Sequence, residues 1–156
     1  MRGNTSYFHM IDTKAKAYLL GFIAADGSIV KSGNTKYLTI TLKYEDKEVL
    51  EFLKTELQDN RQLLEISRPS SFDSTKIIHH IRFSIGSNEI ADDLLQHGIT
   101  PNKSLSMKNI VCNIPYEFRD AFIIGYFDGD GSVSHVSHSP NNKSLSINIR
   151  GTYSFL

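Results

Sequence analysis

The sequence predicts an α+β fold, with one complete αββαββα unit followed by a partial second αββ repeat on antiparallel sheets. Three observations predict it. The stretch "LLGFIAADGS", Leu19 to Ser28, recurs as "IIGYFDGDGS", Ile123 to Ser132, so an apolar helix closing on Asp-Gly is used twice. After each copy the hydrophobic period changes from helical to two. The chain between the copies supplies the remaining strands and helices of one unit.

Asp12 to Asp26 reads as the first helix, with Asp12 as its N-cap and Gly27 as the stop. The glycine after each acid, Gly27 and Gly131, is expected to let the chain turn sharply into a strand. Ser28 to Ser32 and Tyr37 to Lys43 form a hairpin around Gly33-Asn34, with Leu38, Ile40 and Leu42 on one face. Asp46 caps a second helix to about Leu57, burying Val49, Leu50, Phe52 and Leu53. A strand near Leu63 to Arg68 follows. Lys76 to Ile85 alternates again, with His80, Arg82 and Ser84 opposite Ile81, Phe83 and Ile85. Ser87 opens a third helix that closes at Gly98.

In the second copy, Phe122 to Asp130 repeats the first helix and Ser132 to Val136 the first strand. "LSINIR", Leu145 to Arg150, is matched to "LTITLK", Leu38 to Lys43. The division expected is 1–115 for the complete repeat with its connector and 116–156 for the incomplete one. The second hairpin then lacks a cover for Leu145, Ile147 and Ile149. The expectation is self-association through that region, or a poorly ordered C-terminus from about Val136 onward.

Composition narrows the function classes. The chain has 156 residues, 40% hydrophobic, with 17 basic and 17 acidic side chains and zero formal net charge. This suits a soluble globular protein and weighs against strongly non-specific nucleic-acid binding. Cys112 is the single cysteine, which excludes an intrachain disulfide and a cysteine-based zinc finger. The apolar run Ala17 to Ala25 is too short to span a bilayer, and no signal peptide precedes it. A cytoplasmic chain, or one in an organelle matrix, is expected. "DGDGSVSHVSHS" begins like an EF-hand loop, but Val133 and Ser139 stand where that loop needs glycine and glutamate.

Chemistry enters through the two helix ends. Gly21 and Ala25 are four apart, as are Gly125 and Gly129, giving each helix a smooth strip for close approach by the other. If the strips face one another, Asp26 and Asp130 meet at one pole. Two carboxylates there repel each other and the helix dipoles. A divalent cation reverses that balance, and hard oxygen ligands suit Mg²⁺ or Mn²⁺ beside a phosphodiester.

These residues resemble the LAGLIDADG homing endonucleases and their intein-borne and maturase relatives. "LLGFIAADG" keeps the motif, with Leu20 and Ala24 departing and Phe22 an apolar substitute; "IIGYFDGDG" keeps the glycine, the acids and the terminal Asp-Gly. The resemblance is to the single-chain, two-motif branch, with the second repeat apparently truncated. It implies saddle-like sheets, a motif-helix interface at Gly21, Ala25, Gly125 and Gly129, and catalytic metals held by Asp26 and Asp130. The backbone carbonyls of Ala25 and Gly129 join as ligands, Asp128 supports, and Lys103 in "TPNKS" lies near the active-site water.

Sheets of this kind lie in the DNA major groove, which implies contacts from Ser28, Thr39, Thr41, Lys43, His80 and Arg82. The second copy would add Ser132, Ser146, Asn148 and Arg150. The function implied is a site-specific, metal-dependent double-strand DNA endonuclease, associated with an intron or intein. Two rivals share these features: a maturase or other nucleic-acid binder without cleavage, with intron RNA as its partner, and a folded but inactive remnant.

Overall fold

The computed structural model describes residues 3–101, 110–139 and 142–151. Lys103 lies outside them. The elements run α1 (Lys14–Asp26), β1 (Gly27–Ser32), β2 (Thr35–Lys43), α2 (Lys47–Glu56), β3 (Leu64–Pro69), β4 (Ile77–Gly86) and α3 (Asn88–Gln96), which is the αββαββα order. After them come α4 (Arg119–Asp130), β5 (Gly131–Ser139) and β6 (Asn142–Ile149).

The first sheet is antiparallel in the order β1-β2-β4-β3, and β5-β6 form a separate two-stranded sheet. Register fixes two faces. Ile29 pairs with Leu38 and Leu38 with Ile85, while Ile40 pairs with Phe83, and all of these are buried. Helices α2 and α3 present Leu50, Leu53, Ile90 and Leu94 to the same core, and Phe8 joins from the N-terminal segment. Helix α1 is buried nearly all round because the core lies on one side and α4 on the other. Among the described residues no helix is long and apolar enough to cross a membrane.

Several sequence expectations need correction. Thr13, not Asp12, caps α1: its hydroxyl accepts from Lys16 N at 3.2 Å, while Asp12 pairs with Lys16 Nζ at 2.8 Å. Asp46 sits at the N-cap of α2 but makes no side-chain cap bond. Phe52 is exposed rather than buried, lying 6.2 Å from the Tyr18 ring. Gly27 and Gly131 do take the chain directly from helix into strand as expected, at φ of −74° and −83°, so neither is left-handed. Glycine is needed there for space, since a Cβ at Gly27 would stand 2.7 Å from the Ile23 carbonyl oxygen. Strand β5 continues past Val136 to Ser139.

The second hairpin also has its own register. Gly27 pairs with Ile40, whereas Gly131 pairs with Ile149. Leu38 therefore corresponds to Ile147 and Ile40 to Ile149, a two-residue slip from the match of "LSINIR" with "LTITLK". A slip of two keeps every side chain on its expected face.

Candidate metal centre and nucleic-acid interface

Among the described residues, helices α1 and α4 make the most extensive helix contact, and small residues set its closeness. A Cβ added at Gly21 would fall on the Phe122 carbonyl oxygen, and one at Gly125 on the Tyr18 carbonyl oxygen. The two contacts are near-mirror images, as two copies of one motif packed face to face require. Further along, a Cβ at Gly129 would collide with the Ala25 side chain and stand 3.1 Å from Asp26 Oδ2. The carboxylate of the first motif thus lies against the backbone of the second, one residue before Asp130.

The electrostatics of this pole are one-sided. Both helices end here, and neither has a basic residue in its last turn. The partial negative charge of two helix C-termini adds to Asp26, Asp128 and Asp130. Asp26 is half-buried and Asp130 exposed. Among the described residues no cluster of three or more His, Cys, Asp or Glu forms a metal-binding group. Two carboxylates and neighbouring carbonyls are a hard-oxygen set that leaves coordination positions to water and phosphate, the habit of Mg²⁺ sites. The chemistry of this donor set, with the Asp26 carboxylate against the Gly129 backbone, is what suits such an ion.

Two tyrosines flank the acids. Tyr18 OH donates to Asp128 Oδ2 at 2.8 Å; burial, and then this bond, push the Tyr18 hydroxyl up to about 12. Asp128 thus braces α4 against α1. Tyr126 OH donates to the Arg150 carbonyl at 2.7 Å, and burial with the nearby Asp130 charge pushes it up to about 12. Sequence reading missed both tyrosines. The spacing of four between Tyr126 and Asp130 was the signal that could have found one of them.

The polar face of the first sheet gathers the residues expected to contact DNA. Thr39 pairs with Ser28 and Ser84, Thr41 with Arg82, and Lys43 with His80. Arg82 Nε donates to Thr41 Oγ1 at 3.0 Å, and the Thr39 and Ser84 hydroxyls lie 3.0 Å apart. His80 Nδ1 is buried without a hydrogen-bond partner. Pairing of Ile78 with Arg68 adds a further cation to this face, which sequence reading left out. In the second hairpin Ser132 pairs with Asn148 and Ser134 with Ser146, again on one face. Arg150 follows the end of β6.

Residues 13–60 match the family model of a LAGLIDADG-like domain. The comparison with curated proteins gives no match. Among solved structures, the chain is similar to the homing endonuclease I-WcaI bound to its DNA recognition sequence. That likeness has a TM-score of 0.56 at 17% identity and covers 87% of this chain and 58% of that one. It is also similar to the LAGLIDADG homing endonuclease I-LtrWI bound to target DNA, with TM-score 0.43, 13% identity and coverage of 92% and 66%. A third similarity is to I-SmaMI bound to uncleaved DNA in the presence of calcium ions, with TM-score 0.46, 16% identity and coverage of 85% and 66%. The chain thus spans less than two thirds of the length of these proteins. Over residues 13–60 it is similar to a LAGLIDADG-like domain, and its α+β fold is that of the homing endonuclease I-WcaI.

Proposed function

We propose that the chain acts as a site-specific, metal-dependent double-strand DNA endonuclease of homing type, associated with an intron or intein. Residues 1–115 are the complete repeat and 116–156 the partial one. The observation that carries this reading is the closeness of the Asp26 carboxylate to Gly129, the residue before Asp130. The structural likeness to I-WcaI, a homing endonuclease bound to its DNA recognition sequence, supports it.

In this mechanism Asp26 and Asp130, with the carbonyls of Ala25 and Gly129, would hold the catalytic ions. When bound, Mg²⁺ or Mn²⁺ supplies Lewis-acid stabilisation to the attacking and leaving oxygens of the phosphodiester. Lys103, in the connector outside the described residues, is the candidate for orienting the attacking water. Thr39, Thr41, Lys43, His80 and Arg82 read or grip the DNA, with Ser28 nearest the first motif acid. Ser132, Ser146, Asn148 and Arg150 do the same for the second repeat.

The test separates chemistry from binding. Asp26→Asn and Asp130→Asn should each abolish cleavage of a selected target while target affinity stays within about threefold, under 1 kcal/mol. Cleavage at the wild-type rate by either variant contradicts the reading. Tight binding without cleavage by wild type would favour the non-cleaving binder.

A further inference from the structure

The outer strand of the first sheet breaks the polar pattern of the face it shares with β2 and β4. Strand β3 is an edge of the β1-β2-β4-β3 sheet, where outward positions are ordinarily polar or charged. Alternation with the buried Ile81 and Phe83 puts Arg82, His80 and Ile78 of β4 on the polar face. Pairing then sets Leu64, Ile66 and Arg68 of β3 beside them. Leu64 is 58% exposed, and Ile66 and Ile78 are half-buried. The arrangement is regular. Leu64 stands opposite Arg82, Ile66 opposite His80 and Ile78 opposite Arg68, so each aliphatic side chain has a nitrogen-bearing one as its cross-strand neighbour. Residues directly opposed in this way have their Cβ atoms about 5 Å apart.

Resting on the DNA-reading role proposed above, we infer that this edge reads thymines in the major groove of double-stranded DNA, through Leu64 with Arg82 and Ile78 with Arg68. Thymine presents a methyl group in that groove beside its O4 acceptor, a combination no other base offers. The aliphatic side chain meets the methyl, and the guanidinium opposite donates to O4 or to an acceptor of a neighbouring guanine. The groove admits a two-stranded ribbon. Strands β3 and β4 form one where they run past Lys43, the last residue of β2, to the pairs Arg68–Ile78 and Pro69–Ile77. Arg82 Nε donates to Thr41 Oγ1 at 3.0 Å, which leaves the terminal guanidinium nitrogens for a base. Charge suits this partner. The paired positions of the face carry Lys43, Arg82 and Arg68 and no acid. Glu65 alternates to the other side of β3, and Asp26 lies before β1, at the opposite edge of the sheet. In the β3–β4 turn Asp73 accepts from Thr75 Oγ1 at 2.6 Å and pairs with Lys76 at 3.6 Å. Glu45 and Glu65 do line a hollow next to Ile66 and His80. That middle pair is therefore the least suited to approach phosphate, and the two arginine pairs carry the reading. An apolar protein partner would cover Leu64 and Ile78 but leave the arginines opposite them without acceptors.

Replacing thymine by deoxyuridine tests this, because it removes the methyl and keeps O4. A target is selected from a random-sequence duplex library with the full chain in EDTA, and each thymine of the selected duplex is then replaced in turn. Wild type should lose about fourfold in affinity at each contacted thymine, the worth of one buried methyl. Leu64→Ala should abolish that loss at some of these positions and Ile78→Ala at others. Circular dichroism and a cooperative melt check that both variants fold. Uracil tolerated at every position by wild type overturns the proposal, and that arm needs no variant. So does an equal loss in wild type and both variants, which would assign the methyl contacts to other residues. In either of those cases selective duplex binding by wild type leaves the DNA-reading role standing. A chain that selects no duplex contradicts that role, and the thymine reading falls with it.

Discussion

Tyr18 and Phe122 hold equivalent places in the two repeats, and so do Phe22 and Tyr126, so each motif helix has one hydroxyl where the other has none. These hydroxyls do different work: Tyr18 reaches across to Asp128, and Tyr126 holds the Arg150 carbonyl beside Asp130. Asp128 has Ala24 as its equivalent, so the Tyr18 bond exists only once. Tyr18→Phe should cost about 1 kcal/mol of stability near neutral pH, the value of one hydrogen bond to a carboxylate that water can still reach. The pH dependence has a definite sign. Folding raises the Tyr18 hydroxyl from 10.0 to about 12, which favours the neutral phenol in the folded state. Its stabilising contribution is therefore complete below pH 10.0 and disappears as pH rises through about 12. Urea unfolding across that window should show the gap between wild type and Tyr18→Phe closing. A gap that stays constant would remove the bond from the folded state.

At the level of elements, the α1–α4 pair is held at backbone contact by Gly21 and Gly125. Gly125→Ala puts a Cβ on the Tyr18 carbonyl, which is backbone and has no rotamer to escape through. The pair must separate, and overpacking of this kind should cost about 2–3 kcal/mol in urea unfolding. An unchanged midpoint would mean the helices do not approach as described. On the first sheet, Arg82→Ala should weaken target binding by about 1–3 kcal/mol if Arg82 reads a base edge, or reduce the salt slope if it contacts phosphate. Unchanged affinity with an unchanged salt slope would take Arg82 out of the interface.

Much of this level was legible in the sequence, for identifiable reasons. Ser87 caps α3 with its own hydroxyl, 3.2 Å from Ile90 N, and period two assigns Leu38, Ile40, Phe83 and Ile85 to one face. The misses have physical causes too. Asp12 and Thr13 are both good caps, and the Lys16 ammonium decides between them by drawing the acid away. Letter similarity between "LSINIR" and "LTITLK" hid the register, because the second hairpin is longer and strand pairing, not resemblance, sets which residues face each other. Arg68 and Tyr18 escaped notice because strand order and helix packing bring them to the site.

For the whole molecule, zero net charge and the proposed DNA-reading role are compatible because the charges are segregated. Cations lie on the sheet face at Lys43, Arg82 and Arg68, while Asp26 lies against Gly129, the residue before Asp130, where the two motif helices end. Repetition was the feature of sequence that located this pole, and it could do so without any side-chain detail. Repetition could not reveal the register of the second hairpin, which strand pairing sets. The central claim is that the two motif acids form one centre, and Mn²⁺ binding to nitrogen-labelled protein tests it directly. Paramagnetic broadening should reach the amides of Gly27 and Gly131 together along one titration curve, and Asp130→Asn should weaken it at both. Separate titration curves for the two amides, or broadening at Gly27 that Asp130→Asn leaves untouched, would contradict a shared centre.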